Sequence, residues 1–273
     1  MVRVAFQGVR GAFSEDAIYQ FFGEGTEAIA CPDFESVFRA VDSSIASHGM
    51  VPVENSLEGS VTQVNDLLLE NDLNVVGEAL VAVNHCLIVR PEAQMDDIRR
   101  VYSHPQALGQ CRAFLSKHPQ WEKVPAFDTA GSVSMIAERG LKEESAIASK
   151  RAAAVYGMKV LLEGIQNRQD NFTRFFVIQK LASLLPEGDK TSIAFAARNI
   201  PGALYNALGA FASRDVNMTK LESRPRKDRP WEYVFFVDLD GHVDDKPVAD
   251  SLTDLVRKAS FVKVLGTYYR AKQ

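Results

Sequence analysis

Polar side chains gather where short apolar runs end. Glu54, Asn55 and Ser56 follow Met50–Val53, His104 and Gln106 follow Val101–Ser103, Asp128 and Thr129 follow Val124–Phe127, and Ser149 follows Ala146–Ala148. Open α/β sheets bind ligands outside the carboxyl ends of their strands, so these residues are the first candidates for chemistry. Asn55, Ser56, Gly59 and Ser60 form a strand-to-helix loop whose side-chain and backbone donors suit an anion at a helix N-terminus. Arg174 could grip a carboxylate bidentately. Adjacent strand residues face opposite ways, so Thr173 and Arg174 share a pocket only at a strand end or bend. Glu54 either acts as an acid with a raised pKa or anchors its loop. His104, kept extended by Pro105, orients Gln106, binds solvent or transfers a proton.

Other machinery is missing from the sequence. There is neither a G-x-G-x-x-G nor a G-x-x-x-x-G-K-[ST] phosphate cradle, and Gly8-Val9-Arg10-Gly11 has the spacing of neither. The five histidines are scattered, without H-E-x-x-H or C-x-x-C, so no metal site is expected. No G-x-S-x-G elbow marks a hydrolase nucleophile. Any mechanism must therefore use ordinary side chains and backbone donors.

Bulk composition narrows the setting. With 31 Lys plus Arg against 35 Asp plus Glu, the net charge of −4 gives no basic field for nucleic acid or anionic membrane. Arg224, Arg226, Lys227 and Arg229 cluster, but Pro225, Asp228 and Pro230 break the run into a solvated turn. No apolar run reaches the ~18 residues of a spanning helix. Met1–Phe6 runs straight into a strand pattern without a signal-peptide core. Three scattered cysteines form no disulfide framework, and the expected location is cytoplasmic.

The elements that position these groups alternate. Strands are expected at Val2–Gln7, Met50–Val53, Asn74–Val89 (one long extended stretch), Val101–Ser103, Val124–Phe127, Ala146–Ala148 and Val160–Glu163. Helices are expected at Ser14–Phe22, closed by Gly23, and from Asp33 with the stripe Phe34, Val37, Phe38, Val41. Further helices are expected at Thr62–Leu69, Pro105–Lys117, Gly131–Arg139 and Lys150–Tyr156. Such alternation implies α/β layering with mainly parallel sheets. After a turn-rich linker at 184–189 the order becomes βαββαβ, the ferredoxin-like arrangement. Its elements are Thr191–Ala197, Gly202–Arg214, Met218–Ser223, Tyr233–Leu239, Val248–Ala259 and Val262–Tyr269.

Six segments in order make the chain resemble the prephenate dehydratases over nearly its whole length. They are Gly8–Glu15 (GVRGAFSE), Val51–Val61 (VPVENSLEGSV), Tyr102–Gln110 (YSHPQALGQ), Asn171–Phe175 (NFTRF), Gly202–Tyr205 (GALY) and Glu222–Pro225 (ESRP). The resemblance implies a cofactor-free and metal-free lyase that strips carbon dioxide and water from prephenate to give phenylpyruvate. Thr173 then resembles the family's catalytic threonine, with Asn55 and Gln106 as catalytic partners. Glu54, Ser56, Gly59, Ser60, Ser103, His104, Asn171, Arg174 and Phe175 would surround the substrate. Arogenate, with an ammonium in place of the keto group, is an alternative substrate, and a non-catalytic amino-acid-sensing binding protein is an alternative class.

The implied fold is a two-lobed catalytic region like a periplasmic binding protein, followed by an ACT domain. The catalytic domain would occupy residues 1–183, with lobe 1 at 1–76 and 170–182 and lobe 2 at 77–169. The segments Asn74–Val89 and Ile165–Asn171 would cross between them. The ACT domain would occupy 190–273 and bind L-phenylalanine through Gly202, Ala203, Leu204, Tyr205, Asn217, Leu221, Glu222, Ser223 and Arg224. Tyr205 stands where the family usually has valine, which bears on effector affinity or choice. A homotetramer, a dimer of dimers, is implied as well. A fused chorismate mutase is not expected, because the first strand starts at Val2.

Overall fold

The computed structural model describes residues 2–180, 187–226 and 232–271. It forms two compact units, Met1–Val64 with Ala79–Phe175, and Asn65–Glu78 with Phe176–Gln273. The first contains most of two sheets. One has the strands β1 (Arg3–Gln7), β2 (Glu27–Cys31), β3 (His48–Asn55), β4 (Gly59–Ser60), β5 (Leu73–Ala82) and β11 (Phe172–Lys180). Their order is β2-β1-β3-β11-β5, with β4 on β3, and both β5 and β11 run on into the second unit. The other sheet has β6 (Cys86–Val89), β7 (Arg100–Ser103), β8 (Glu122–Pro125), β9 (Glu144–Ala148) and β10 (Lys159–Leu162) in the order β10-β6-β9-β7-β8.

Burial explains why these runs are strands. Val4, Ala5 and Phe6 of β1 are all fully buried, as in a parallel strand covered on both faces. Along β6, Leu87 and Val89 join a core with Ala107, Cys111, Leu115 and Trp121. Its alternate residues Cys86 and Ile88 join another with Ala130, Val133, Ile136 and Ala152. One strand thus closes two helix layers, α4 (Pro105–Gln110) with α5 (Arg112–Leu115), and α6 (Thr129–Arg139) with α7 (Lys150–Val155). The first sheet is served by α1 (Phe13–Phe22) and α2 (Phe34–Asp42). Asp33 caps α2 by accepting the Ser36 N–H at 2.7 Å, as the sequence predicts.

Several expectations need correction. The sheets are not mainly parallel throughout, since β6 runs antiparallel to both β9 and β10. The stretch Asn74–Val89 is two strands, interrupted where Val83 donates to the Asn171 carbonyl at 2.8 Å and His85 donates to Gln166 Oε1 at 2.9 Å. The helix Pro105–Lys117 breaks at Cys111, and the strand Glu27–Cys31 is absent from the sequence-based elements. Of the linker 184–189, residues 184–186 lie outside the described residues, as do Lys227 and Arg229 of the basic cluster.

The second unit holds β12 (Lys190–Ala197), α8 (Ala203–Ala212), β13 (Met218–Pro225), β14 (Tyr233–Asp240), α9 (Lys246–Lys258) and β15 (Ala259–Tyr268). The order β13-β14-β12-β15, antiparallel throughout, is the expected ferredoxin-like sheet. Ile193, Phe195, Val237 and Leu239 pack against Ala207, Phe211, Leu252 and Leu255 of its helices. Most of α3 (Thr62–Glu70) belongs to this unit, where Lys263 Nζ donates to the carbonyls of Leu68, Leu69 and Asn71 at 3.0, 3.2 and 2.7 Å. Among the described residues no helix is long and apolar enough to cross a membrane.

Candidate active site

A cavity of about 420 Å³ opens in the first unit, with Asn55 and Thr173 on one side and His85, His104, Gln106 and Gln110 on the other. Its remaining walls include Gln7, Gly8, Phe13, Ser14, Phe127 and Thr129. Strand ends supply Asn55 from β3, and Thr173 sits near the start of β11. The two strands are clamped there: Ser56 N–H donates to the Phe172 carbonyl at 2.9 Å, and Ser56 Oγ accepts the Phe172 N–H at 3.0 Å.

The direction of every hydrogen bond around Thr173 follows from two backbone groups. Leu57 and Glu58 N–H both donate to Asn55 Oδ1, at 3.0 and 3.1 Å. Backbone N–H groups only donate, so the oxygen of the Asn55 amide must face them and its nitrogen must face away. That Nδ2 lies 2.8 Å from Asn171 Oδ1 and 3.0 Å from Thr173 Oγ1. Asn171, its oxygen so used, donates Nδ2–H to Gln110 Oε1 at 3.1 Å. Thr173 Oγ1 is therefore an acceptor toward Asn55, and its own proton must point elsewhere. Accepting one bond strengthens the donor on the same hydroxyl.

Two longer helices begin at the cavity. α1 opens with Phe13 and Ser14, and its N-cap Ala12 gives no side-chain cap. α6 opens at Thr129 behind Asp128, whose side chain accepts from Gly131 N–H. Unpaired first-turn N–H groups and the helix dipole attract anions. The Gly8–Glu15 loop is held for this purpose by buried Glu15, which accepts the Gly11 N–H at 2.5 Å.

The residues named from sequence fall into three groups. Asn55, Thr173, Gln106 and His104 line the cavity, and Asn171 lies behind Asn55. Glu54 and Arg174 are absent from the cavity lining and meet each other, with Nη2 3.4 Å from the carboxylate. Ser103 and Phe175 are buried, Ser103 donating to the Ile147 carbonyl at 2.6 Å, while Gly59 and Ser60 pair with Asn55 and Glu54 as β4. Gln110, unnamed from sequence, does more than Gln106. It stands one helical turn further along α4, an i, i+4 relation that could have signalled it. His85 was passed over as a break in an apolar run. Burial holds its imidazole below the ordinary histidine range. The buried thiols are inert by the same cause, Cys86 being pushed up to about 11 and Cys111 to about 12.

In the second unit, a cavity of about 390 Å³ is lined by Ile200, Gly202, Ala203, Leu204, Tyr205 and Phe235, among others. Gly202, at φ 78°, turns the chain into α8. The other expected effector residues lie elsewhere. Asn217 donates to Asp240 at 2.8 Å, Glu222 accepts from Asn65, and Arg224 reaches Asp66 at 3.3 Å. Leu221 and Ser223 project from the opposite, exposed face of β13.

A cleft between two α/β sheets, walled by amides, hydroxyls and helix N-termini and followed by a ferredoxin-like domain, defines a small-anion enzyme with a regulatory module. The family profile described as "Prephenate dehydratase" matches residues 4–183, and that of the "ACT domain" matches 191–257. "Arogenate dehydratase/prephenate dehydratase 2, chloroplastic" of Arabidopsis thaliana is 39% identical over 98% of this chain and 72% of its own. A prephenate dehydratase from Arthrobacter aurescens, solved in complex with L-Phe, is 36% identical over 98% of this chain and 90% of its own, with a TM-score of 0.90. A structure described as GqqA, a novel type of quorum quenching acylase, is also 36% identical, covering 97% of each chain with a TM-score of 0.91. The chain belongs to the prephenate dehydratase family, as a dehydratase of phenylalanine biosynthesis carrying an ACT domain.

Proposed function

We propose that the cavity converts prephenate to phenylpyruvate, carbon dioxide and water, with Thr173 assisting the leaving hydroxyl. The observation that carries this is the acceptor bond from Asn55 to Thr173 Oγ1, which frees the threonine proton for the cleft. As the ring carboxylate departs, the electrons of the breaking C–C bond enter the ring. The C–O pair leaves with the hydroxyl, which takes up a proton from solvent to become water, and aromaticity drives both losses. Hydroxide is a poor leaving group, and a hydrogen bond that strengthens as charge builds on it lowers the barrier. The N-terminus of α1, which has no side-chain cap, suits one of the substrate's carboxylates.

L-phenylalanine is proposed as the effector of the ACT domain, seated in the cavity at the start of α8. The apolar Ile200, Leu204 and Phe235 suit its ring, and the N-terminal end of α8 suits its carboxylate. A cytoplasmic homotetramer is part of the same reading. Leu221 on the edge strand β13 and Tyr205 on α8 are exposed, as faces that pair two copies would be. Effector coupling of this kind amounts to ~1–3 kcal/mol and is reciprocal.

The test is turnover of the purified protein with prephenate and with arogenate, each with and without L-phenylalanine. The expected result is phenylpyruvate from prephenate, reduced by L-phenylalanine. Turnover of arogenate alone would reassign the substrate, and turnover of neither would sink the reading.

A further inference from the structure

His85 stands behind the relay that ends at Thr173, and nothing in the reaction assigns it a part. Its ring is almost fully buried, at 2% exposure, between the cavity and the strand crossing. The backbone on both sides is pinned, since His85 N–H donates to Gln166 Oε1 and its carbonyl accepts the Ile165 N–H at 3.1 Å. Nε2 lies 2.8 Å from Gln110 Oε1.

The identity of the proton on that nitrogen can be deduced. The chain begins with the backbone N–H groups of Leu57 and Glu58, which fix the Asn55 amide. Asn55 fixes Asn171, and Asn171 fixes Gln110 with its oxygen toward both Asn171 and His85. An oxygen that accepts at 2.8 Å requires N–H at His85 Nε2, so the neutral ring keeps its lone pair at Nδ1. Nδ1 is buried without a hydrogen-bond partner, so a second N–H there would find no acceptor.

We propose that His85 is a positioning residue of the dehydratase reaction: its Nε2–H locks the Gln110 amide, and through Asn171 and Asn55 it aims the Thr173 hydroxyl. Gln110 needs this second donor because its own Nε2 donates only at 3.3 Å, to exposed Glu58. With the imidazole donor gone, the Gln110 amide can rotate. Asn171 then loses its acceptor, and Asn55, still held at Oδ1 by Leu57 and Glu58, loses the fixed partner that orients its Nδ2 beside Thr173. The inference rests on the proposed role of Thr173.

The test compares His85→Leu with His85→Gln in the full chain. Glutamine carries an amide N–H2 near the place of Nε2, whereas leucine fills space and donates nothing. We expect His85→Leu to lower kcat by ~10-fold to 10²-fold with KM little changed, as misplacement of a reacting group does. His85→Gln should recover most of that loss. A folded leucine variant with wild-type kcat overturns the proposal, and so does equal impairment of the two variants. Nitrogen-15 NMR of the wild-type ring at neutral pH gives a second measure that needs no variant to fold. The Nε2–H tautomer is expected, and an Nδ1–H tautomer or an imidazolium overturns the assignment. Should the wild type turn over neither prephenate nor arogenate, the functional reading fails instead, and the tautomer still reports on His85.

Discussion

Asn55 Nδ2 stands 3.0 Å from Thr173 Oγ1, and the Asn55 amide cannot turn over without abandoning the N–H groups of Leu57 and Glu58. The strand-end loop therefore decides which way a hydroxyl 118 positions later in the chain points its proton. An acceptor at the Nδ2 place would reverse it. Asn55→Asp is nearly isosteric, yet its second oxygen would attract the Thr173 proton away from the cleft. We expect kcat to fall by at least ~10²-fold, and no less than in Asn55→Ala, because removing one positioned donor in a developing-charge site costs about that much. An aspartate variant that outperforms alanine would contradict the polarity of the relay.

Thr173 itself separates hydroxyl from shape. Thr173→Ser keeps the oxygen and loses a methyl group, whereas Thr173→Ala loses the donor. Alanine is expected to lose at least ~10²-fold in kcat, and serine to keep much of it. Near-normal turnover by the alanine variant would remove the residue from the chemistry.

The buried His85 makes stability pH-dependent with a definite sign. Burial lowers its folded pKa, so below the unfolded value of ~6.5 the unfolded chain takes up a proton that the folded chain refuses. Its neutral form thus contributes stability that is present above pH ~6.5 and is lost as pH falls toward the folded pKa. Denaturant unfolding of wild type and His85→Gln between pH ~7.5 and ~5 should show a smaller acid loss in the variant. Parallel curves would mean that the imidazole is not held neutral. Asp16, whose pKa burial raises, acts with opposite sign but equally in both proteins and so cancels from the comparison.

Lys263 is the C-terminal cap of α3. Its Nζ serves the carbonyls of Leu68, Leu69 and Asn71, groups a helix end otherwise leaves unpaired. Lys263→Met keeps the stem and removes the donor. The expected loss is ~1–3 kcal/mol in urea unfolding, the penalty for orphaned polar groups. A change within ~0.5 kcal/mol would show that water replaces the ammonium.

The legible and illegible parts of this chain divide on physical grounds. A short apolar run announced β1, a helical stripe announced α2, and the succession of strands and helices announced the ferredoxin-like order, because burial there follows the local sequence. Asn55 was singled out because it follows a strand, and Thr173 because Asn171–Phe175 resembles the family's motif. Gln110 and His85 were not, since their importance lies in a hydrogen-bond partner 61 positions away for the first and 25 for the second. Likewise Glu222 and Arg224 read as effector ligands, yet strand alternation turns them toward Asn65 and Asp66. Only the pleat and the neighbouring α3 decide that face, and neither is visible in the ESRP string.

Gly11 joins the Gly8–Glu15 loop to the cavity wall, and its two constraints can be separated by experiment. Its φ of +88° lies in the region that favours glycine, and a Cβ there would stand 2.6 Å from the Ala152 backbone. Gly23 has the same φ of +88° but open space around its missing Cβ. Gly23→Ala therefore reports backbone strain alone, whereas Gly11→Ala adds a collision with α7. The Gly11 carbonyl also accepts Ser149 Oγ at 2.6 Å and its N–H donates to Glu15, so relief by moving the loop breaks two buried bonds. We expect Gly11→Ala to be less stable than Gly23→Ala by ~1–3 kcal/mol, the usual penalty of overpacking. Because the displaced loop carries Gly8, Phe13 and Ser14 into the cavity, kcat/KM should fall in Gly11→Ala and hold in Gly23→Ala. Equal stabilities for the two variants would mean that α7 yields freely, and the loop would then not be fixed by its packing on Ala152.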